Sequence, residues 1–181
     1  MSRQPWVAHP ELWANETAWW TYIRGCLRST WSRNPVKHEL LKAERKQIPN
    51  PNPRGKKTTV WGCTCRMCGN DFVMKDIQVD HIVEAGSLRS VEDIQGFVER
   101  LLFVTKDDLR VVCKECNSAL AYASKQGITF AQAKAEKAAL KIIKEKRDLT
   151  ELEKYGIIPA RTQKARREQL VQILSQEYGG M

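Results

Sequence analysis

Two pairs of cysteines, each with two residues between its members, constrain the fold of this 181-residue chain more than any other feature. The pairs are Cys65–Cys68 and Cys113–Cys116, separated by 44 residues. Four thiolates in this pattern match the tetrahedral coordination that zinc prefers, and a bound ion would close a long loop. The alternatives are a thioredoxin-like redox motif, which needs one pair within a βαβ unit, and packed free thiols. We interpret the pairs as ligands of a structural zinc ion.

Two further cysteines lie outside this pattern. Cys63 is close enough to the first pair to compete as a ligand, but we expect it to be a bystander. Cys26 falls on the apolar face of a predicted helix, so we expect it to pack in the core.

The charge of the chain is unevenly distributed. The net charge of +9 divides into +7 over residues 1–60, −2 over residues 61–125 and +4 over residues 126–181. This pattern suits a cation-holding centre between surfaces that attract a polyanion, although basic flanks can also serve solubility alone. A mean hydropathy of −0.50 and short apolar runs argue against a membrane span. The first residues lack the pattern of a signal peptide, so we expect a cytoplasmic location and no membrane partner.

The first 57 residues are predicted to form a basic helical arm and a proline-rich linker. Asn15 can cap a helix that runs to about Ser32, and Asn34-Pro35 can open a second helix that runs to about Gln47. Together they would form an α-hairpin. Prolines at alternate positions then predict an extended linker over residues 48–57.

The rest of the chain is predicted to form a core over residues 58–127 and a basic helical extension over residues 128–181. β-forming residues indicate short strands between Val60 and Val79. Helical spacing and capping signals predict four helices: Val91–Val104, Asn117–Lys125, Thr129 to about Arg147, and Thr162–Tyr178. We therefore expect an α+β protein that is rich in helices.

Four polar residues are arranged around the cysteine pairs. Asp80 and His81 end the alternating run Ile77–His81, Asp108 lies five residues before Cys113, and Asn117 directly follows Cys116. Separately, each has an ordinary explanation as a surface pair, a turn residue or a helix cap. Their occurrence together, in this order around the two cysteine pairs, favours a single functional site.

This order of motifs, C-x-x-C, Asp-His and Asp-Leu-x-x-Val-C-x-x-C-Asn, resembles the HNH endonucleases. It is especially similar to the recombination endonuclease VII branch, and the run 79–86 is similar to phage-encoded HNH proteins. The resemblance covers about residues 58–125. It implies a zinc-stapled ββα-metal core, to which this chain would add an N-terminal α-hairpin and C-terminal helices. For a phage-encoded protein, the cytoplasm would be that of the host.

The chemistry of phosphodiester hydrolysis gives each of these residues a role. A neutral imidazole, with an ordinary pKa of about 6.5, suits His81 as the general base. Asp80 and Asn117 offer oxygen ligands to Mg²⁺ or Mn²⁺, and the resemblance implies 5′-phosphate and 3′-hydroxyl products. Asp108 stands where the family has an asparagine that orients the histidine. Neighbouring strand residues face opposite ways, so Asp80 and His81 can share a site only if the strand ends or bends there.

Two basic stripes are candidates for contact with DNA phosphates. In the first helix, Trp20, Arg24 and Arg28 follow one face, with Trp31 close by, and tryptophans there could stack on bases or pack the hairpin. In the long C-terminal helix, Lys134, Lys137, Lys141 and Lys144 form a continuous stripe, which is either a DNA contact or a solvated face.

The sequence therefore predicts a metal-dependent DNA endonuclease that nicks or cuts duplex or branched DNA. The alternative is a non-catalytic zinc protein that binds nucleic acid or acts in phage packaging or the virion. Leu170, Val171 and Leu174 would pack on the core or on a second protomer, since enzymes of the endonuclease VII branch act as dimers. Predicted partners are DNA, a second copy of the chain, and phage recombination or packaging proteins.

Overall fold

A computed structural model describes residues 3–53, 55 and 57–180. The protein is α+β and rich in helices, with two small sheets, which confirms the coarse fold class. The chain divides into two compact units, one extending to Val112 and one beginning at Cys113. Within the described residues, no helix combines the length and the apolar character that crossing a bilayer requires.

The N-terminal helices begin where their capping residues predict. The short helix α1 (Pro5–Ala8) is followed by α2 (Glu16–Ser32) and α3 (Pro35–Glu44). The side chain of Asn15 accepts a hydrogen bond from the Ala18 amide at 2.9 Å, and Asn34 accepts one from the Val36 amide at 2.9 Å. These caps satisfy amides at the helix ends, which have no intrahelical acceptor.

The predicted linker contributes a strand instead of only an extended connection. Strand β1 (Lys46–Pro49) pairs antiparallel with β2 (Thr59–Thr64), which in turn pairs with β3 (Asp71–Val73). The helix α3 therefore ends at Glu44 and not near Gln47. Ile48 is buried in the strand, and Pro49 is tolerated because β1 is an edge strand.

The first unit also contains a second sheet and a further helix. Strand β4 (Ile77–His81) pairs with β5 (Leu109–Cys113), and α4 (Ile94–Leu102) lies between them in the chain. One core cluster combines the two sheets with α3, and its buried members are Leu40, Cys63, Ile77, Val79, Leu109 and Val111. Another cluster joins α2 to α4, and its buried members are Trp20, Ala85, Leu88, Phe97 and Leu101. The expectation for Cys26 was wrong, because its side chain is exposed.

The second unit is helical. It contains α5 (Lys114–Gln126), α6 (Phe130–Lys144), α7 (Asp148–Lys154) and α8 (Gln163–Gly179). The left-handed Gly127 closes α5, and the predicted capping box of Thr129 and Gln132 opens α6. Leu170 and Leu174 pack inside this unit against Ala135, Ala139 and Leu152, so α8 uses its apolar face for the unit's own core.

Candidate metal centre and catalytic site

The four paired cysteines lie together. Among the described residues, the sulfur atoms of Cys65, Cys68, Cys113 and Cys116 all fall within 4.8 Å of one another, and all but Cys68 are buried. A tetrahedral ion with sulfur ligands at about 2.3 Å would place those sulfur atoms about 3.8 Å apart. This group of thiols can therefore hold a metal ion such as zinc, as the sequence predicts.

Local backbone structure orients each cysteine pair. In the first pair, the Met67 amide donates to Cys65 Sγ at 3.4 Å, and Gly69 adopts the positive φ that turns the chain back. In the second pair, the sulfur of Cys113 caps α5 by accepting from the Cys116 amide at 3.4 Å. An amide donor of this kind can stabilise a thiolate, which is the form of cysteine that binds metal ions.

Cys63 is separate from this group. It is fully buried in the core, and its thiol lies 3.6 Å from the Met74 sulfur. Burial raises the pKa of the Cys63 thiol, with smaller contributions from Glu44 and Asp71. A thiol kept neutral by desolvation is a poor ligand, which agrees with the expectation that Cys63 is a bystander.

Asp80 forms an ion pair that its sequence motif does not predict. Its carboxylate oxygen Oδ2 accepts from Arg110 Nε at 2.9 Å and lies 2.7 Å from another guanidinium nitrogen. Both side chains are only 21% exposed, so solvent screens this pair less than a surface pair. Both contacts use Oδ2. Among the described residues, Arg110 therefore leaves the other oxygen, Oδ1, able to bind a cation.

His81 ends β4 and is held by two segments from outside the motif. Its Nε2 lies 3.1 Å from the Leu101 carbonyl oxygen at the end of α4, and its ring centroid lies 4.2 Å from that of Trp31 in α2. A carbonyl oxygen can only accept, so Nε2 carries the hydrogen. In the neutral ring, Nδ1 is then the basic nitrogen.

Asp108 lines the same small cavity as His81. This cavity has a volume of about 260 Å³ and is also lined by Val83, Glu99 and Phe103. One carboxylate oxygen of Asp108 accepts from the amide and the hydroxyl of Thr105, at 2.7 and 2.8 Å. These donors, and to a lesser extent the nearby His81, hold the pKa of the Asp108 carboxyl below its usual range. The ionised Asp108 can thus stabilise positive charge on the imidazole, while its predicted orienting role stays a prediction.

Asn117 belongs to the second unit. It is half-buried in the first turns of α5, next to Cys116 of the four-cysteine group. Its position on this helix is fixed by the cap at Cys113, and its role as a cation ligand stays a prediction.

The arginine stripe of α2 is only partly available to a ligand. Trp20 is buried in the core against α4, so it cannot stack on bases. Arg28 is exposed, and Arg24 is half-buried beside Arg89 and Glu16 in a surface groove.

The lysine stripe of α6 divides into two parts. Lys134, Lys137 and Lys141 line one cavity of the second unit, whereas Lys144 is exposed and does not belong to that lining. The stripe is therefore not a uniform solvated face.

Three groups around the candidate site were not connected with Asp80 or His81 from the sequence. They are Arg110, which pairs with Asp80, and Trp31 and the Leu101 carbonyl, which hold His81. The sequence does contain an indication for Arg110. It lies between Asp108 and Cys113, and it alternates with the buried residues Leu109 and Val111 of β5. Nothing local identifies a backbone carbonyl as a partner.

Known proteins provide no assignment for this site. No protein-family model, no curated protein and no solved structure matches the chain.

Proposed function

We propose that this chain is an HNH-type endonuclease that hydrolyses phosphodiester bonds in DNA with the help of a divalent cation. The observation that carries the proposal is the environment of His81. Its Nε2 is engaged by a carbonyl oxygen, and its ring borders a cavity that it shares with an ionised carboxylate. This arrangement gives the imidazole one basic nitrogen and a nearby negative charge to stabilise the protonated ring.

In this proposal, His81 acts as the general base. Its Nδ1 takes a proton from a water molecule as the water oxygen forms a bond to phosphorus. The bond between phosphorus and the 3′-oxygen breaks, and the leaving oxygen takes a proton from solvent. The products are a 5′-phosphate and a 3′-hydroxyl. The positive ring is then stabilised by Asp108, while Trp31 and the Leu101 carbonyl keep its orientation.

Asp80 and Asn117 are the proposed ligands of the catalytic cation, Mg²⁺ or Mn²⁺. When bound, such an ion supplies positive charge to the scissile phosphate and to the leaving oxygen. Asp80 presents Oδ1 for this purpose, while Arg110 fixes the carboxylate through Oδ2. Hard cations of this kind use few protein ligands and retain water, so one carboxylate and one amide suffice.

Zinc is the proposed occupant of the four-cysteine group. Sulfur ligands and tetrahedral spacing suit zinc, and four protein ligands leave no open position for substrate. The ion therefore has a structural role, and it would fix the start of α5, where Asn117 lies. Phage origin, dimerisation and a partner in recombination or packaging remain parts of the same proposal.

A second function is favoured by one observation. The carboxylate of Asp80 is already compensated by Arg110, as expected if no cation were needed there. A zinc protein that binds nucleic acid without cutting it, or a packaging or virion component, would keep the cysteines and the basic surfaces. It would not need the basic nitrogen of His81.

Cleavage of supercoiled plasmid in Mg²⁺ or Mn²⁺ separates the two functions. We expect nicked or linear product from the wild type, and a rate roughly 100- to 10,000-fold lower from His81→Ala of equal zinc content. His38→Ala is the matched control, because His38 is exposed and lies outside the site. Equal cleavage by His81→Ala would reject His81 as the base. Wild-type protein that binds DNA but never cuts it would support the second function.

A further inference from the structure

The second unit contains a cavity of about 590 Å³ whose lining is strongly basic. It is formed by residues of α5 and α6, by Arg147 and by Tyr178 near the end of α8. Among the residues that the structure describes, one acid, Glu115, contributes to the lining, together with five cations: Lys114, Lys134, Lys137, Lys141 and Arg147. Such an excess of one charge favours an anionic ligand.

Two of these lysines are held by neutral groups. The Lys137 ammonium lies 2.8 Å from the Ser118 hydroxyl and 5.4 Å from the centre of the Tyr122 ring. The Lys134 ammonium lies 4.3 Å from the centre of the Tyr178 ring. In the described part of the chain, neither lysine forms an ion pair with a carboxylate. Aromatic faces and a hydroxyl orient these ammonium groups but leave their charge uncompensated.

Lys141 and Arg147 differ in this respect, because each lies close to a carboxylate. Lys141 lies 3.4 Å from Glu115, but both side chains are more than half exposed, so this pair is weak. Arg147 lies 2.6 Å from each of Glu145 and Glu151 and is compensated. Besides Lys114 of α5, positive charge in this cavity lies on a row along one face of α6 that consists of Lys134, Lys137 and Lys141.

The length of this row matches a nucleic-acid strand. Seven residues of α-helix rise about 10 Å. Successive phosphates of one strand wind around the duplex and lie farther apart than the axial rise of roughly 3.4 Å, so flexible lysine stems on a row of this length can reach two or three of them. Lysines act as point charges with flexible stems, which suits contact with phosphates without reading the bases.

We propose that this cavity is a second, non-catalytic DNA site that holds two or three successive backbone phosphates of one strand. Lys134 and Lys137 supply the main contacts, Lys141 joins them by releasing Glu115, and Lys144 takes no part. The assignment rests on the proposed function, since it anchors the DNA that the enzyme cuts.

The test is binding of a fluorescein-labelled duplex of about 20 base pairs by zinc-loaded protein without added Mg²⁺, between about 50 and 200 mM NaCl. The triple variant Lys134→Gln, Lys137→Gln and Lys141→Gln is compared with a control that loses three exposed lysines of the same unit, Lys125, Lys144 and Lys164, to glutamine. Both variants have the same net charge, so they separate a local site from general attraction. Circular dichroism verifies that both keep their helices.

We expect the cavity variant to bind DNA roughly 10- to 100-fold more weakly at about 100 mM salt. The slope of log K against log salt concentration should fall in magnitude by about 2, because each phosphate that the protein no longer neutralises removes about 0.9 from the slope. The control should remain within about threefold of the wild type, with a smaller change in slope. Equal reductions in both variants, or wild-type affinity in the cavity variant, would overturn the assignment.

A second arm identifies the source of the phosphate. Direct titration with pyrophosphate measures whether the cavity prefers a small free anion. Tight pyrophosphate binding that disappears in the cavity variant, with unchanged DNA binding, would overturn the DNA assignment. Because the duplex experiment measures no cleavage, its outcome is separate from the test of His81. A wild type that binds DNA through the cavity but never cuts would refute the endonuclease proposal alone.

Discussion

The two units treat their charged groups in opposite ways. Around His81 in the first unit, each charged or polar group has a specific partner: Asp80 has Arg110, Asp108 has Thr105, and the imidazole has a carbonyl oxygen. In the cavity of the second unit, Lys134 and Lys137 rest on aromatic rings and a hydroxyl. The first arrangement holds each group in one orientation, and the second leaves two ammonium groups without a carboxylate partner among the described residues.

The first unit also shows that the site does not end at the motif. Trp31 belongs to the N-terminal α2, and the Leu101 carbonyl belongs to α4, yet both contact the imidazole. A histidine side chain that is held from two sides loses less conformational entropy on reaching the transition state, which favours catalysis. The helical arm therefore supports the candidate base as well as adding positive charge to the chain.

The largest effect is expected on stability when the four-cysteine group loses one of its members. Cys113→Ser should lose the metal and unfold the protein partly or completely at room temperature, because metal binding in such sites supplies about 10 kcal/mol or more of folding free energy. Metal content and thermal unfolding measure this. Cys26→Ser is the control, since Cys26 is exposed and outside the group. Retention of one metal ion per chain and of the wild-type melting temperature by Cys113→Ser would contradict the metal centre.

The next largest effect is expected on the cleavage rate when the carboxylate of Asp80 is removed. Asp80→Ala should lower the cleavage rate about 100-fold or more, because the proposed cation loses its charged ligand. DNA affinity should be unchanged or higher, since a negative charge has been removed. Arg110→Gln, which keeps the carboxylate, should lower the rate less, and a Mg²⁺ titration of both variants measures the difference. If Asp80→Ala cuts DNA at the wild-type rate, Asp80 does not hold the catalytic cation.

The second unit should depend on its own buried ion pair. Asp148 is 5% exposed and accepts from Arg166 Nε at 2.6 Å. This contact holds the pKa of the Asp148 carboxyl below its usual range. Asp148→Asn should therefore lower the free energy of unfolding by about 2 kcal/mol at neutral pH.

The pH dependence of that effect has a defined sign. The pKa of Asp148 is lower in the folded chain than the unfolded value of about 3.9, so the stabilisation is present above about pH 4. It disappears as the pH falls through the folded pKa, where wild type and Asp148→Asn should converge. Urea unfolding between about pH 3 and 7 tests this, with exposed Glu153→Gln as the control. A constant difference down to the lowest pH would contradict the ion pair as its cause.

The smallest effect sharpens the role of the helical arm. Trp31→Ala should slow cleavage about five- to tenfold, because the ring contact contributes about 1 kcal/mol to holding the imidazole. DNA affinity should not change, and Trp31→Phe should recover most of the rate. Trp61→Ala is the matched control, since Trp61 is half exposed and stacks on Arg45 instead. Weaker DNA binding at an unchanged cleavage rate would show that Trp31 contacts DNA.

Local signals in the sequence predicted the parts of the fold that depend on nearby residues. The caps at Asn15 and Thr129 and the two cysteine pairs each act over a few positions, so their spacing is sufficient. Strand β1 was missed because its pairing partner lies beyond the proline-rich segment, and proline usually opposes strands. Helix periodicity alone could not tell buried Trp20 from half-buried Trp31, because burial depends on packing against α4.

In the candidate site, too, local motifs were predicted from the sequence and contacts between distant residues were not. The order of its residues indicated His81, Asp80 and Asp108, whereas the partners of His81 and Asp80 come from distant positions. Arg110 is 30 residues from Asp80, and the Leu101 carbonyl is 20 residues from His81. Contacts between residues so far apart in the chain depend on how strands and helices pack. Short sequence motifs do not reveal that packing.

We propose that cleavage depends on His81 of the first unit, whereas the lysine row of α6 in the second unit only anchors the DNA. One crossed measurement tests it: DNA affinity and single-turnover cleavage at saturating protein, for His81→Ala and for the triple variant at Lys134, Lys137 and Lys141. We expect His81→Ala to keep wild-type affinity and lose cleavage, and the lysine variant to bind weakly yet cut at nearly the wild-type rate once saturated. If both variants lose binding and cleavage in parallel, or if His81→Ala still cuts, the division between the two units is wrong.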